Sequence, residues 1–199
     1  MRDGGDNAGK TAGVLPVEKV GFLYNSTVCI ACGACQLACQ GAHGLGSGEY
    51  FRRVVLRPVG GGKETAFSGG CNHCAHPACV AACPTGAMYR DEERGIVLHD
   101  DGRCIGCGCC VWNCPYGAVS LSATAGVAQK CDSCVDRRSQ GLEPFCVAAC
   151  PMGALRWRDP PPREPGWKQL SAPFLPEPGR TDPSTMARFP DEEEEEQDG

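Results

Sequence analysis

Apolar residues fall in short runs along this chain, separated by glycine, proline and acidic residues. Val20, Phe22, Leu23 and Tyr24 make the first run and predict a strand. Residues 50–59 are rich in β-formers and predict a second, with Gly60, Gly61 and Gly62 as the turn after it. Residues 87–90 and 95–98 flank Asp91, Glu92, Glu93 and Arg94, which is a hairpin pattern, and residues 118–121 and 126–129 repeat it. Residues 153–157 predict a last strand, and Gln36–Gln40 a short helix. A unit of loop, short helix and hairpin therefore recurs along the chain.

Composition makes an ordinary hydrophobic core hard to build. The chain has 199 residues, 7% of them aromatic, with 27 glycines and 16 prolines. That length suits one compact domain or two small ones. Ligand bonds that form only in the folded state add to folding free energy and can supply the missing cohesion. The formal charge is −5 and there is no basic stripe, so nucleic acid is not an expected partner. No stretch approaches the roughly 18 apolar residues of a membrane span. Residues 1–10 are polar and glycine-rich, so no signal peptide is expected either.

The cysteines change the picture. Sixteen of the 17 fall into four groups of four. Cys104, Cys107, Cys110 and Cys114 follow the C-x2-C-x2-C-x3-C-P run of bacterial ferredoxins. Cys29, Cys32, Cys35 and Cys39 keep that spacing but are followed by Gln40. Cys71, Cys74, Cys79 and Cys83 widen the middle gap, and Cys131, Cys134, Cys146 and Cys150 widen it further. Cys-Pro-x-Gly-Ala recurs at 83–87, 114–118 and 150–154. A 4Fe–4S cluster needs four soft thiolates. Two x2 spacings let one loop reach three corners, and the fourth cysteine, a helical turn later, faces away toward a neighbouring site. Sixteen such ligands suffice for four 4Fe–4S clusters, and a chain carrying four clusters is an electron carrier.

Rival uses of the cysteines fit less well. A disulfide scaffold calls for an export signal and an even count. A zinc site calls for paired knuckles, which only the fourth group imitates. Cys109 is the odd cysteine and is expected to point away from a cluster. His73 and His76 are expected to make loop hydrogen bonds, while His43 and His99 stand alone. No glycine-rich phosphate loop has the strand–helix context of a dinucleotide site.

Together the strings Cys71-Asn-His-Cys74, Cys83-Pro-Thr-Gly-Ala-Met88, Cys104-Ile-Gly-Cys107, Cys114-Pro-Tyr-Gly-Ala118 and Lys130-Cys-Asp-Ser-Cys134 are similar to the iron–sulfur B subunits of dimethyl sulfoxide reductases. These belong to the four-cluster ferredoxin-like subunits of molybdopterin oxidoreductases. The resemblance spans about residues 20–157. It implies one cluster on Cys29, Cys32, Cys35 and Cys150 and a second on Cys131, Cys134, Cys146 and Cys39. It implies a third on Cys71, Cys74, Cys79 and Cys114, and a fourth on Cys104, Cys107, Cys110 and Cys83. Some relatives carry Trp at the position of Cys107 and hold a three-iron cluster there; Cys107 implies four irons.

The expected fold class is α+β: two ferredoxin-like modules of short strands and helices, plus an extended Pro-rich C-terminal arm. Residues 1–18 read as a flexible leader. The four-cluster region is 19–157, with module one from 19–49 and 125–157, module two from 66–124, and an inserted strand segment at 50–65. Residues 158–190 hold nine of the 16 prolines. With Trp167, Leu170, Phe174, Leu175 and Phe189 as anchors, they read as an arm lying on a partner, and residues 191–196 as a solvated acidic run. The expected function is non-catalytic electron transfer between an integral membrane quinol-oxidising anchor subunit and a molybdopterin-containing catalytic subunit. The chain would then be a peripheral membrane-associated subunit. The alternatives are an electron-transfer subunit of a hydrogenase or formate-oxidising complex and, from another class, a zinc-bearing scaffold.

Overall fold

A four-stranded sheet brings together segments from both ends of the chain. The computed structural model describes residues 20–60, 62–158 and 166–190; the expected leader and acidic run lie outside the described residues. In chain order the elements are β1 (Gly21–Asn25), α1 (Ala34–Ala42), β2 (Arg52–Gly60), β3 (Lys63–Gly70), α2 (Ala78–Ala81), β4 (Met88–Asp91) and β5 (Ile96–His99). They continue with α3 (Cys109–Asn113), β6 (Val119–Leu121), β7 (Ala128–Lys130), α4 (Val135–Ser139), α5 (Phe145–Ala148), β8 (Leu155–Arg158), β9 (Lys168–Gln169) and β10 (Met186–Arg188). The mixture is α+β, as the short apolar runs predict.

The sheet runs in the order β8-β1-β10-β9. β1 lies inside it, antiparallel to β8 and parallel to β10. Gly21, Phe22, Leu23 and Tyr24 are all buried. A strand covered on both faces reads as an unbroken apolar run rather than an alternating one, which is the pattern of residues 20–24. The two predicted hairpins form as β4–β5 and β6–β7. In the recurring Cys-Pro-x-Gly-Ala turn, Gly86, Gly117 and Gly153 have φ of +65°, +60° and +58°, a conformation that glycine adopts without strain.

Two features differ from the sequence reading. The expected strand at 50–59 is one arm of a hairpin that runs beyond the expected segment 50–65. β3 continues to Gly70 and pairs with β2 from Arg52 opposite Gly70 to Gly60 opposite Lys63. Glycines at the end of β3 mask its strand character. The second difference corrects the expectation of an extended arm: residues 166–190 fold back onto the chain itself. β10 covers an edge of β1 that would otherwise leave its backbone groups unpaired. Three of the expected anchors, Leu170, Phe174 and Phe189, serve this internal contact. Leu170 is 2% exposed, and Phe174 and Phe189 pack against Phe67 and each other. Pro173, Pro176, Pro178 and Pro183 fall between β9 and β10, where no ladder donor is needed.

The returning segment also pins the loop of the second cysteine group. Ser184 N–H donates to Asn72 O at 2.9 Å and Thr185 Oγ1 to Asn72 Oδ1 at 2.9 Å. Ala75 and His76 N–H donate to Asp182 O and Thr181 O.

The core is split in two. One part gathers Phe22, Tyr24, Cys35, Cys39, Cys131, Cys146 and Leu155; the other gathers Cys79, Met88, Val97, Cys110 and Val119. Helix packing follows the same division, with α1 against α5 and α2 against α3.

Gly21 tests the close approach of β1 to the segment that leads into β10. A Cβ there would lie within van der Waals overlap of Ser184 O. Gly21→Ala is expected to cost about 1–3 kcal/mol and Leu170→Ala about 2–5 kcal/mol. Both should lower the guanidinium concentration at which the folded, metal-loaded protein loses its visible absorbance. An unchanged midpoint in both would mean that residues 166–190 do not pack on β1.

Candidate metal centres

All 17 thiols are free. Short helices carry cysteines from each group inward; Cys29, Cys32, Cys71, Cys74, Cys104, Cys107, Cys131 and Cys134 precede a helix, and Cys83, Cys114 and Cys150 follow one. Cys29, Cys32, Cys35 and Cys150 line one small recess, closed by Val54 and Pro151. Cys71, Cys74, Cys79 and Cys114 line another, beside Val97 and Tyr116. In both, a cysteine more than 30 residues away in sequence completes a loop's own three.

Cys39, Cys131, Cys134 and Cys146 are all buried. Burial pushes the Cys39 thiol up to about 12, with the negative charge of Cys146 and Cys134 adding to it and Arg52 opposing it. Burial and then the charges of Cys71, Cys146 and Cys39 raise Cys131 as well. Cys83, Cys104 and Cys110 share the second core, and burial followed by the charges of Cys83 and Cys104 raises Cys110. Cys107 is exposed, and its thiol neighbours that of Cys109 and raises its pKa. The odd cysteine therefore sits beside Cys107, at the first turn of α3.

Backbone donors point at the sulfurs. Ser133 N–H donates to Cys131 Sγ at 3.2 Å, Met88 N–H to Cys83 Sγ at 3.4 Å and Ala118 N–H to Cys114 Sγ at 3.4 Å. Cys104 Sγ accepts from both Gly106 and Ala128. At Cys83 the raising effect of desolvation is outweighed by such donors, those of Met88 and Thr85, and the thiol falls to about 7. The deeper thiols go the other way: burial and then Cys71 push Cys74 and Cys79 up to about 12. Without metal these deeper thiols are protonated at neutral pH, and a ligand must displace the protons. Four soft sulfurs per nest, gathered together and met by N–H donors, fit a 4Fe–4S cluster.

The histidines are placed by loop geometry. His73 is buried and its Nδ1 accepts from Val97 N–H at 3.1 Å, tying the second cysteine loop to β5. His76 uses its backbone N–H on Thr181. His99 Nδ1 lies 2.9 Å from Asp101 Oδ1. His43 does not stand alone: its Nε2 lies 3.7 Å from Cys134 Sγ and 4.0 Å from Asp132 Oδ1, and its ring packs on Phe51. That contact joins residues 91 apart and leaves no sequence signal.

Two buried cations also escape a sequence reading. Lys130 donates through Nζ to Val97 O and, at 2.7 Å, to Cys131 O. Arg52 donates through Nη1 to Ser68 O at 2.9 Å and to Ser68 Oγ at 3.2 Å. Burial acts to lower the Arg52 pKa, but the charges of Cys146, Cys131, Cys35 and Cys39 raise it on balance. Among the described residues no helix is long and apolar enough to cross a membrane.

The chain is similar to known iron–sulfur proteins. Residues 63–159 match the family model of the 4Fe-4S dicluster domain. The B subunit of the anaerobic dimethyl sulfoxide reductase of Haemophilus influenzae is 39% identical over 151 residues, 70% of this chain and 73% of that subunit. The corresponding subunit of the Escherichia coli K12 reductase is 40% identical over 146 residues, covering 68% and 71%. The thiosulfate reductase electron transfer subunit of Salmonella typhi is 40% identical over 142 residues, covering 68% and 73%. With such identity over more than two thirds of both chains, the chain belongs to the family of 4Fe–4S electron-transfer subunits typified by the B subunit of anaerobic dimethyl sulfoxide reductase.

Proposed function

We propose that this subunit holds four 4Fe–4S clusters and relays electrons from a quinol-oxidising membrane anchor to a molybdopterin catalytic subunit, as in a dimethyl sulfoxide reductase. The observation that carries the reading is the meeting of distant thiols: Cys150 with Cys29, Cys32 and Cys35, and Cys114 with Cys71, Cys74 and Cys79. The mutual charge effects among Cys39, Cys131 and Cys146, and among Cys83, Cys104 and Cys110, support the other two ligand sets. Exchange of fourth ligands ties groups one and four into one ferredoxin-like module and groups two and three into the other.

When bound, a 4Fe–4S cluster takes up and releases one electron without making or breaking a bond to substrate. The residues of this chain hold, insulate and tune. Sixteen thiolates fix the sites. Backbone N–H groups of Gly106, Ser133, Ala118 and Ala128 offset negative charge on cysteine sulfur. The buried positions of Cys39, Cys131, Cys134 and Cys146 keep water from the inner nest. The subunit would sit peripherally on the membrane, held by its partners.

Metals in the complex that co-purifies anaerobically with the tagged chain test the partner. Molybdenum or tungsten together with a large excess of iron is expected. Nickel, or iron with no third metal, would move the subunit to a hydrogenase-type partner or to no partner at all.

The ligand assignment has its own test at Cys107. In a Cys109→Ser background, where the neighbouring thiol cannot take the vacated corner, Cys107→Trp should convert one four-iron site to a three-iron site of raised potential. A new paramagnetic signal should then appear in the oxidised protein, while Cys109→Ser alone leaves the spectrum unchanged. No new signal in the double variant would remove Cys107 from the ligand set.

A further inference from the structure

Arg52 and Arg53 are adjacent arginines at the start of β2, and the sequence does not distinguish them. The strand does: Arg52 is 4% exposed, whereas Arg53 is exposed. A guanidinium stays charged in any protein environment, and burying it is costly unless negative charge lies nearby. Among the described residues no carboxylate forms an ion pair with Arg52. Its close contacts are neutral: Ser68 O, Ser68 Oγ and the face of the Phe22 ring, 4.5 Å from the guanidinium carbon. Phe22 itself packs in the core that contains Cys35, Cys39, Cys131 and Cys146.

Ser68 carries the connection one atom further. Arginine can only donate, so Ser68 Oγ accepts from Arg52. Its own hydrogen is then available for Cys35 Sγ, 3.4 Å away. Arg52, Ser68 and Cys35 thus form a chain in which the cation polarises an O–H aimed at a cluster-ligand sulfur. The β2–β3 hairpin supplies both Arg52 and Ser68. It is anchored to α1, which carries Cys35 and Cys39, by Val54 N–H donating to Gln36 Oε1 at 2.9 Å.

We propose that Arg52, held by Ser68, is a built-in counter-charge for the two clusters of cysteine groups one and four and raises their reduction potentials; this rests on the four-cluster reading above. Reduction adds a negative charge to a cluster. A fixed cation and a hydrogen bond to a ligand sulfur both favour the reduced form over the oxidised one. The Phe22 ring that Arg52 covers packs in the core holding Cys35 of one nest and Cys39, Cys131 and Cys146 of the other, so the cation acts on both potentials. Ser68 touches Cys35 alone and acts on one. Both are positioning residues, since neither touches a substrate.

Redox titration of the purified holo complex, followed by electron paramagnetic resonance, separates these effects. Iron analysis of the unsubstituted complex comes first, and iron for fewer than four clusters would overturn the underlying reading before any potential is measured. With all clusters present, Arg52→Met should lower two midpoint potentials. At a fixed ambient potential the reduced-to-oxidised ratio of those two should fall at least tenfold, about 59 mV for a one-electron couple. Arg52→Lys should restore most of that ratio. Ser68→Ala should lower one potential and leave the other three in place. If Arg52→Met loses iron, Ser68→Ala decides. Ser68→Ala with all four ratios unchanged, or Arg52→Lys as low as Arg52→Met, would overturn the proposal.

Discussion

Thiols that are crowded together and shielded from water cannot all ionise, and the rest of this fold is arranged around that conflict. The pressure is visible in Cys39, Cys74 and Cys79, each pushed up to about 12 by burial and neighbouring sulfur. A polycationic iron core relieves it, and so binding of the metal becomes part of the folding free energy. Sulfur also takes over the space that aromatic and branched residues fill elsewhere: cysteines from all four groups contribute to the two cores. A chain with 7% aromatic residues can be held together in this way.

The protein adds fixed dipoles and charges to what the iron supplies. Turns built on Cys-Pro-x-Gly-Ala bring backbone N–H groups to Cys83 and Cys114. The segment from Thr181 to Thr185 reaches across the loop of the second group, and Thr181 Oγ1 lies 2.9 Å from Tyr116 Oη beside the third. This C-terminal segment therefore fastens the sheet to a cysteine loop more than 100 residues earlier. The β2–β3 hairpin does the corresponding work for the first group, through Ser68 and Cys35.

Local chemistry was legible in the sequence. Cysteine spacing, the recurring glycine turn and the two acidic or glycine-bounded hairpins each depend on residues a few positions apart, and each forms. What depended on register or on distant contact was not legible. β3 ends in Gly69 and Gly70, which weaken its strand signal, yet pairing with β2 carries it to its end. The Pro-rich segment looked like an arm for another protein because it carries apolar anchors that a solvated linker does not need. Its short strands need only two or three paired residues to cover β1 and to join β9 to β10. Arg52 and His43 are ordinary residues until the fold sets them against sulfur.

Iron and acid-labile sulfide in the anaerobically prepared protein, read together with Mössbauer spectra, test the central claim most directly. Equal iron and sulfide, four of each for every thiol nest, is the expected result. Zinc in the nests, or iron without matching sulfide, would contradict it.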